Sequence, residues 1–323
     1  MPAPTTSPAR ADREKDPVRP RGAADPAPRR RRKRRLPVPL ILLLPTAVVL
    51  VPLFGYPLYQ LGLLSFMEFG QEQASGGVPA RFIGFENYTR LFGDALFRDV
   101  LVQTIVFAAG CVVGTLVVGA ALAVLLTRVG KWPRLILMFA ALGAWAAPAM
   151  TGSTVWMFLF DTNLGLVNEV LGTDGHNWMY DKWPAFGLVG AVVVWHSFPF
   201  VMITLYAGIQ AIPTSVLEAA RLDGAGTWTT FRRVMLPMLR PILTIVVIQS
   251  IIWDFKVFTQ IYVMTNGGGI AGQNLTLNVY AYQQAFAGSD YSFGAAIGVV
   301  MTLILVVVTG FYIRALRRNG EEL

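Results

Sequence analysis

The chain has 323 residues, 54% of them hydrophobic and 14% charged, with a formal net charge of +8. Soluble domains carry roughly 25% charged residues, so this balance excludes an ordinary water-soluble enzyme and places most of the chain against lipid. The excess charge is local: residues 1–35 hold twelve Lys/Arg and four Asp/Glu, which accounts for all of it.

That Pro/Ala/Arg-rich tail, residues 1–35, is expected to be disordered and cytoplasmic. Arg29 to Arg35 abuts an apolar stretch, which reads as an anchor against anionic lipid rather than as a nucleic-acid-binding arm. A twin-arginine leader is the competing reading. The apolar stretch 38–61 exceeds the 7–15 residues of a signal core, and no small-x-small cleavage site follows it. It is taken as a retained first span. Cys111 is the lone cysteine and lies in an apolar stretch, so no intrachain disulfide or metal cluster is expected. His176 and His196 have no zinc or Cys/His nucleophile spacing.

Six segments have about the 20 apolar residues that a spanning helix needs: 38–61, 101–127, 135–160, 187–211, 241–263 and 294–316. The expected fold is an all-α polytopic membrane protein, with a transmembrane domain over 36–318 and a short cytoplasmic end at 319–323. Lys/Arg counts in the loops set the orientation. Beyond the tail, ten fall on the side of the N-terminus and four (Arg81, Arg90, Arg98 and Lys182) on the other. Both termini and the 213–240 connection are therefore expected in the cytoplasm.

The first outer connection, 64–99, ends in Phe82-Ile83-Gly84-Phe85-Glu86-Asn87-Tyr88, which reads as a short amphipathic element at the membrane surface. The third span carries Trp145, Pro148, Thr151, Ser153, Thr154 and Trp156. The loop 161–186 is acidic, with Asp161, Glu169, Asp174 and Asp181. In the fourth span, Trp195-His196-Ser197-Phe198-Pro199-Phe200 mixes rings and hydroxyls, and Pro199 is expected to kink the helix. Such residues suit a sugar ring, and they suit helix packing equally.

Residues 213–240 read as two short helices. Ser215 and Glu218 have capping-box spacing, Gly224 suits a left-handed helix end, Thr227 is placed to cap the second helix, and Pro237 to stop it. Two readings stand side by side: an amphipathic hairpin lying on lipid, or a docking element for a soluble partner. Glu218 and Asp223 favour docking, because acids avoid an anionic leaflet.

The fifth span holds Ser250, Trp253, Asp254 and Lys256, and ionisable residues inside spans point to function. Lys256 lies on the order of 22 Å from Pro241 along a helix, in the outer part of the bilayer. Positions 254 and 256 stand 200° apart, so both cannot line one face. The bland alternative has Lys256 reaching the outer interface and Asp254 paired with a neighbouring helix. Met264-Thr265-Asn266-Gly267-Gly268-Gly269 then reads as a flexible turn. It has no following Lys-Ser/Thr and no preceding strand, which argues against a phosphate loop.

Glu218-Ala219-Ala220, x3, Gly224, x9, Val234-x-Leu236-Pro237 resembles the cytoplasmic signature of binding-protein-dependent ABC importer permeases, with Val234 where Ile is usual. Ile212-Pro213, Phe255 to Thr265 with its three glycines, Phe85-Glu86-Asn87-Tyr88 and Gln284-Ala285-Phe286 extend the likeness over roughly 38–318. It is nearest the carbohydrate-uptake branch, of the maltose and glycerol-phosphate type. Ile270 departs from the Pro common after the glycines.

The resemblance implies the type I ABC importer permease fold in a bacterial plasma membrane. It also implies a coupling helix whose Glu218, Ala219, Ala220, Asp223 and Gly224 dock on an ATPase subunit. A second permease, two ATP-binding subunits and an extracytoplasmic solute-binding protein would complete the assembly. ATP and Mg would belong to the partner subunits, and no cofactor is expected on this chain. In agreement, no G-x-x-x-x-G-K-[ST] occurs anywhere in the sequence. The expected cargo is a sugar or polyol, with Trp145, Thr154, Trp195, Ser197, Ser250, Trp253, Asp254 and Lys256 along the path. Two rivals are an ion-coupled secondary transporter using Asp254 or Lys256, disfavoured by the lack of an inverted repeat, and a membrane enzyme, disfavoured by the lack of interfacial acid or histidine clusters.

Overall fold

The structure, a computed structural model, describes residues 38–318 apart from 174. The 1–35 tail, the 319–323 end and Asp174 lie outside the described residues. The chain divides into a short unit ending at Pro52 and a main unit beginning at Leu53. The described part of the first unit is the opening of α1 (Val38–Ser65), and everything below concerns the main unit.

After α1 the chain forms β1 (Met67–Glu68), α2 (Gln71–Ala74), β2 (Arg81–Phe82) and α3 (Glu86–Gly93). The long helix α4 (Ala95–Arg128) follows, then α5 (Lys131–Ala146), α6 (Ala149–Leu159), α7 (Leu166–Leu171) and α8 (Lys182–Gln210). The hairpin comprises α9 (Thr214–Leu222), α10 (Thr227–Thr230), a π-helical turn (Phe231–Met235) and α11 (Leu236–Met238). The chain closes with α12 (Arg240–Phe255), α13 (Thr259–Met264), α14 (Leu277–Tyr282), a second π turn (Gln283–Ala287) and α15 (Tyr291–Arg318).

Among the described residues five helical spans are long and apolar enough to cross a bilayer, or six if the bent pair α5–α6 is counted as one span. The all-α expectation holds apart from one two-stranded antiparallel ribbon, in which Met67 pairs with Phe82 and Glu68 with Arg81. The third span is not the single helix expected over 135–160, because its halves bend by 104°. The cause is local. Ala147 precedes Pro148, whose ring disfavours the helical region for the residue before it, and Ala147 is extended at ψ 134°. The Ala147 carbonyl left at the break accepts a hydrogen bond from His196 Nε2 at 3.0 Å, which ties the bend to α8. Pro199, by contrast, is buried within an unbroken α8.

α4 and α8 form the central pair. A Cβ at Gly119 would stand 2.6 Å from the Val201 side chain, so the absent side chain is what lets the two helices approach this closely. Two apolar clusters lie along the bundle. Phe97, Phe107, Val189, Ile261, Leu277 and Phe293 belong to the larger one, and Leu126, Met202, Leu205 and Val246 to the one nearer the hairpin. The Arg134 guanidinium closes the far end of α4, donating to the Leu126 and Val129 carbonyls at 2.9 and 3.0 Å.

The opposite end is a polar platform. Buried Asn87 donates to the Ser65 and Met67 carbonyls. Arg90 pairs with Asp290 at 2.7 Å, and Ser292 N–H donates to the Phe69 carbonyl. α3 is amphipathic, as its sequence suggests, and buries Asn87 and Leu91. In the 161–178 loop the backbone N–H groups of Leu164 and Asn163 bond the Asp161 carboxylate and hold it below the usual carboxylate range. The glycine turn is packed rather than loose. Asn266 and Gly267 to Gly269 all have positive φ, and the N–H groups of Gly267 and Gly269 donate back to Tyr262 and Thr265.

Candidate functional site

The hairpin begins where α8 ends. Ile212 is buried and anchors the exit, and Pro213 precedes α9. The anticipated capping box is not formed: Pro213 occupies the cap position and no side chain caps α9. Thr214, not Ser215, is its first residue, which puts Ser215 inside the helix and away from capping geometry. Thr227 likewise is the first residue of α10 and not its cap, which is Gly226.

The other end of α9 matches expectation closely. Gly224 sits at φ +76°, Ala225 N–H donates to the Ala220 carbonyl and Gly224 N–H to the Arg221 carbonyl. These two bonds are the Schellman closure, which needs a residue with positive φ. Pro237 does not stop the second arm. The π turn passes directly into α11, with Pro237 near its start, where a missing N–H costs little.

Glu218, Ala219, Asp223 and Gly224 stand exposed on the hairpin, while Ala220 is buried. Ala220 thus packs within the hairpin, while the other four residues of the signature group face outward. Leu222 is 90% exposed. A leucine held out in solvent beside two carboxylates, neither with an ion-pair partner among the described residues, is a surface suited to another protein. The degree of that exposure is set by tertiary packing.

The eight residues proposed along the membrane path separate into groups. Trp195 faces α6: its ring is 5.9 Å from Trp156, and it closes over Gly152. Trp253 of α12 meets Phe200 of α8 at 5.2 Å, edge to face. Ser197 is half-buried and Ser250 buried on these two helices. Trp145 and Thr154 are exposed on the two arms of the bend, and the Thr154 hydroxyl donates to the Met150 carbonyl.

Asp254 and Lys256 point apart, as their angular separation requires. Lys256 is exposed, while Asp254 is 2% exposed and turned into the protein. The expected partner for Asp254 is absent: neither carboxylate oxygen has a hydrogen bond among the described residues. Asp254 therefore does not share a surface with Lys256. Trp156 and Phe200, named with the mixed polar and aromatic residues of the third and fourth spans, supply the ring contacts that cross between helices. A groove of about 840 Å³ between α4 and α8 is lined by none of the eight.

A family model described as the binding-protein-dependent transport system inner membrane component matches residues 115–319. The chain belongs to this family. Among relatives of this permease is the diacetylchitobiose uptake system permease protein DasB of Streptomyces coelicolor, 40% identical over 87% of each chain. The sulfoquinovosyl glycerol transport system permease protein SmoG of Agrobacterium fabrum is 34% identical, covering 86% of this chain and 90% of its own. The sn-glycerol-3-phosphate transport system permease protein UgpA of Pectobacterium atrosepticum is 29% identical over 86% and 94%.

A crystal structure of a bacterial ABC transporter involved in import of the acidic polysaccharide alginate has a chain with the same fold. The TM-score is 0.75 at 18% identity, covering 87% of this permease and 96% of that chain. The ABC importer permease fold expected from the signature is thus the fold observed, in a membrane component of a transport system.

Proposed function

We propose that this permease forms half of the translocation path of an ATP-driven importer for a mono- or oligosaccharide or a related polyol. The observation that carries the reading is the hairpin: a helix closed by Gly224 that holds Glu218, Ala219, Leu222 and Asp223 out from the end of a membrane bundle. Relatives named for uptake of diacetylchitobiose and sulfoquinovosyl glycerol support a carbohydrate cargo.

In this reading the hairpin and both termini are cytoplasmic, as the distribution of Lys and Arg supports. Two ATP-binding subunits carry ATP and Mg, and one of them seats on the hairpin. A second, similar permease supplies the other half of the path, and an extracytoplasmic binding protein delivers the cargo to the opposite platform. Closure of the ATP-binding pair draws the two hairpins together and rocks the spans from inward-facing to outward-facing. The aromatic pairs Trp156–Trp195 and Phe200–Trp253 offer ring faces, and Ser197 a hydroxyl, to a sugar. Lys256 stands on the exposed side of the fifth span, and Asp254 packs behind it.

Charge reversal at the hairpin tests the docking role. Glu218→Lys should abolish both cargo uptake and cargo-stimulated ATP hydrolysis while leaving the permease folded in the membrane. Normal uptake in that variant would refute the docking role.

A further inference from the structure

A second feature at the hairpin end is a groove of about 650 Å³ between the last turns of α4 and α8 and the second arm of the hairpin. Val124 and Ile209, from the ends of two membrane spans, form one wall, and Phe231 and Met235 of the π turn form the other. Because span ends make up part of its lining, the groove lies at the level where hydrocarbon gives way to headgroups.

Its charge is one-sided. Arg128, at the end of α4, and Arg221, on α9, both line it, and no carboxylate does. Neither guanidinium has a hydrogen bond or ion pair among the described residues, although Asp223 is only two residues from Arg221. Arg134, one turn beyond the end of α4, shows the contrast, since its guanidinium is committed to two carbonyls. At the mouth, Trp228 is 69% exposed and stacks on Phe231, with centroids 5.7 Å apart and planes 27° from parallel.

Two free guanidinium groups over an apolar trough, with an exposed indole beside them, match one occupant in particular. A phosphodiester offers paired acceptor oxygens in the geometry that guanidinium reads best. The apolar wall suits the start of an acyl chain, and indole prefers the ester level of a bilayer. Basic pockets at the cytoplasmic ends of spans are suited to such headgroups. A neutral occupant offers no anion, and a zwitterionic one brings its own cation along with the phosphate, so an anionic headgroup offsets more of the positive charge.

We propose that this groove holds an anionic phospholipid of the cytoplasmic leaflet, its phosphate between Arg128 and Arg221 and its ester region against Trp228. The placement in the cytoplasmic leaflet rests on the orientation proposed above. The lipid bridges the hairpin to the ends of α4 and α8, so that headgroup charge governs how firmly the docking element is held.

The test uses the full-length permease in phosphatidylcholine nanodiscs, with brominated phosphatidylglycerol or brominated phosphatidylcholine added at equal mole fraction. Trp228 fluorescence is isolated as the difference between the wild-type chain and Trp228→Phe. Brominated phosphatidylglycerol should quench it at mole fractions on the order of tenfold below those that brominated phosphatidylcholine requires. Arg128→Gln with Arg221→Gln should erase that preference without shifting the thermal midpoint. Equal quenching by both lipids overturns the proposal, and so does quenching by neither, which would mean that protein covers the groove.

Nanodiscs expose both faces, so the preference is read independently of orientation. Labelling an Ala225→Cys chain in intact cells with a membrane-impermeant thiol reagent tests orientation alone. Labelling from outside would refute the cytoplasmic placement while leaving the lipid preference standing.

Discussion

The Tyr280 hydroxyl donates a 2.7 Å hydrogen bond to Asp94 Oδ2, and Asp94 Oδ1 accepts from Leu96 N–H at the start of α4. One carboxylate thus caps the longest helix and fastens α14 to it across 186 residues of chain. Tyr280 is 2% exposed. Burial first, and the bond to Asp94 second, push its phenol above the ordinary tyrosine range. Tyr280→Phe should lower stability by about 1–2 kcal/mol, read as a fall in the thermal midpoint in detergent. The folded protein binds this proton more tightly than the unfolded chain does. The contribution is therefore full below about pH 10 and is lost as pH rises beyond it. The gap between wild type and variant should narrow at alkaline pH, and a gap independent of pH would exclude this linkage.

Asn168 organises the acidic loop. Its amide nitrogen lies 2.9–3.3 Å from the carbonyls of His176, Asp161 and Thr162, and its oxygen accepts from Thr173 and the Trp178 indole. Asn168→Ala strands several of these groups and should cost the loop about 2–3 kcal/mol. Hydrogen exchange should report faster opening over 161–178, with the spans unchanged.

At Gly269, φ is +77°, and an added Cβ would fall 2.4 Å from Asn274 Oδ1. Asn274 in turn donates to the Lys182 carbonyl, so it cannot retreat freely. Gly269→Ala should destabilise the protein by about 2 kcal/mol or more, through αL strain and overpacking together. Comparison with Gly143→Ala, where nothing lies within 4 Å, supplies the control in the same thermal assay.

Gly224 has the same backbone requirement without the crowding, since no atom lies within 4 Å of its Cβ direction. Asn tolerates the left-handed region and β-branched residues do not. Gly224→Asn should retain most transport, and Gly224→Val should lose it, as measured by cargo uptake in cells at matched expression. Equal activity in the two would remove the Schellman closure from the mechanism.

Asp254→Asn should be neutral or stabilising. Both carboxylate oxygens are buried without a donor, and an unpaired buried charge is costly, so removing the carboxylate forfeits no existing bond. A fall in thermal midpoint of the isolated permease would contradict this arrangement.

How much of this was legible in the sequence depended on how local each feature is. The spans were readable because bilayer thickness sets an apolar length, and the left-handed end at Gly224 because one residue type suits that backbone. The Pro148 break was visible as a proline but not as a bend of 104°, since prolines within spans are also tolerated, as Pro199 is. The capping box at Ser215 and Glu218 failed because the helix starts two residues earlier, with Pro213 at the cap. In the candidate site, the signature marked Glu218, Ala220 and Asp223 without saying which face outward: Glu218 and Asp223 are exposed, while Ala220 is turned inward. An alanine at a signature position looks the same whether it packs or docks.

The sequence by itself determined a polytopic helical permease with a signature hairpin, because apolar run length, loop charge and residue spacing are properties of the chain read in order. Tertiary structure alone decided that Asp254 is enclosed without a partner, and that Leu222 stands in solvent. It also brought Arg128, Arg221 and Trp228 to one groove. Burial and the meeting of distant side chains are set by which helices pack together and how closely, and a single sequence does not contain those distances.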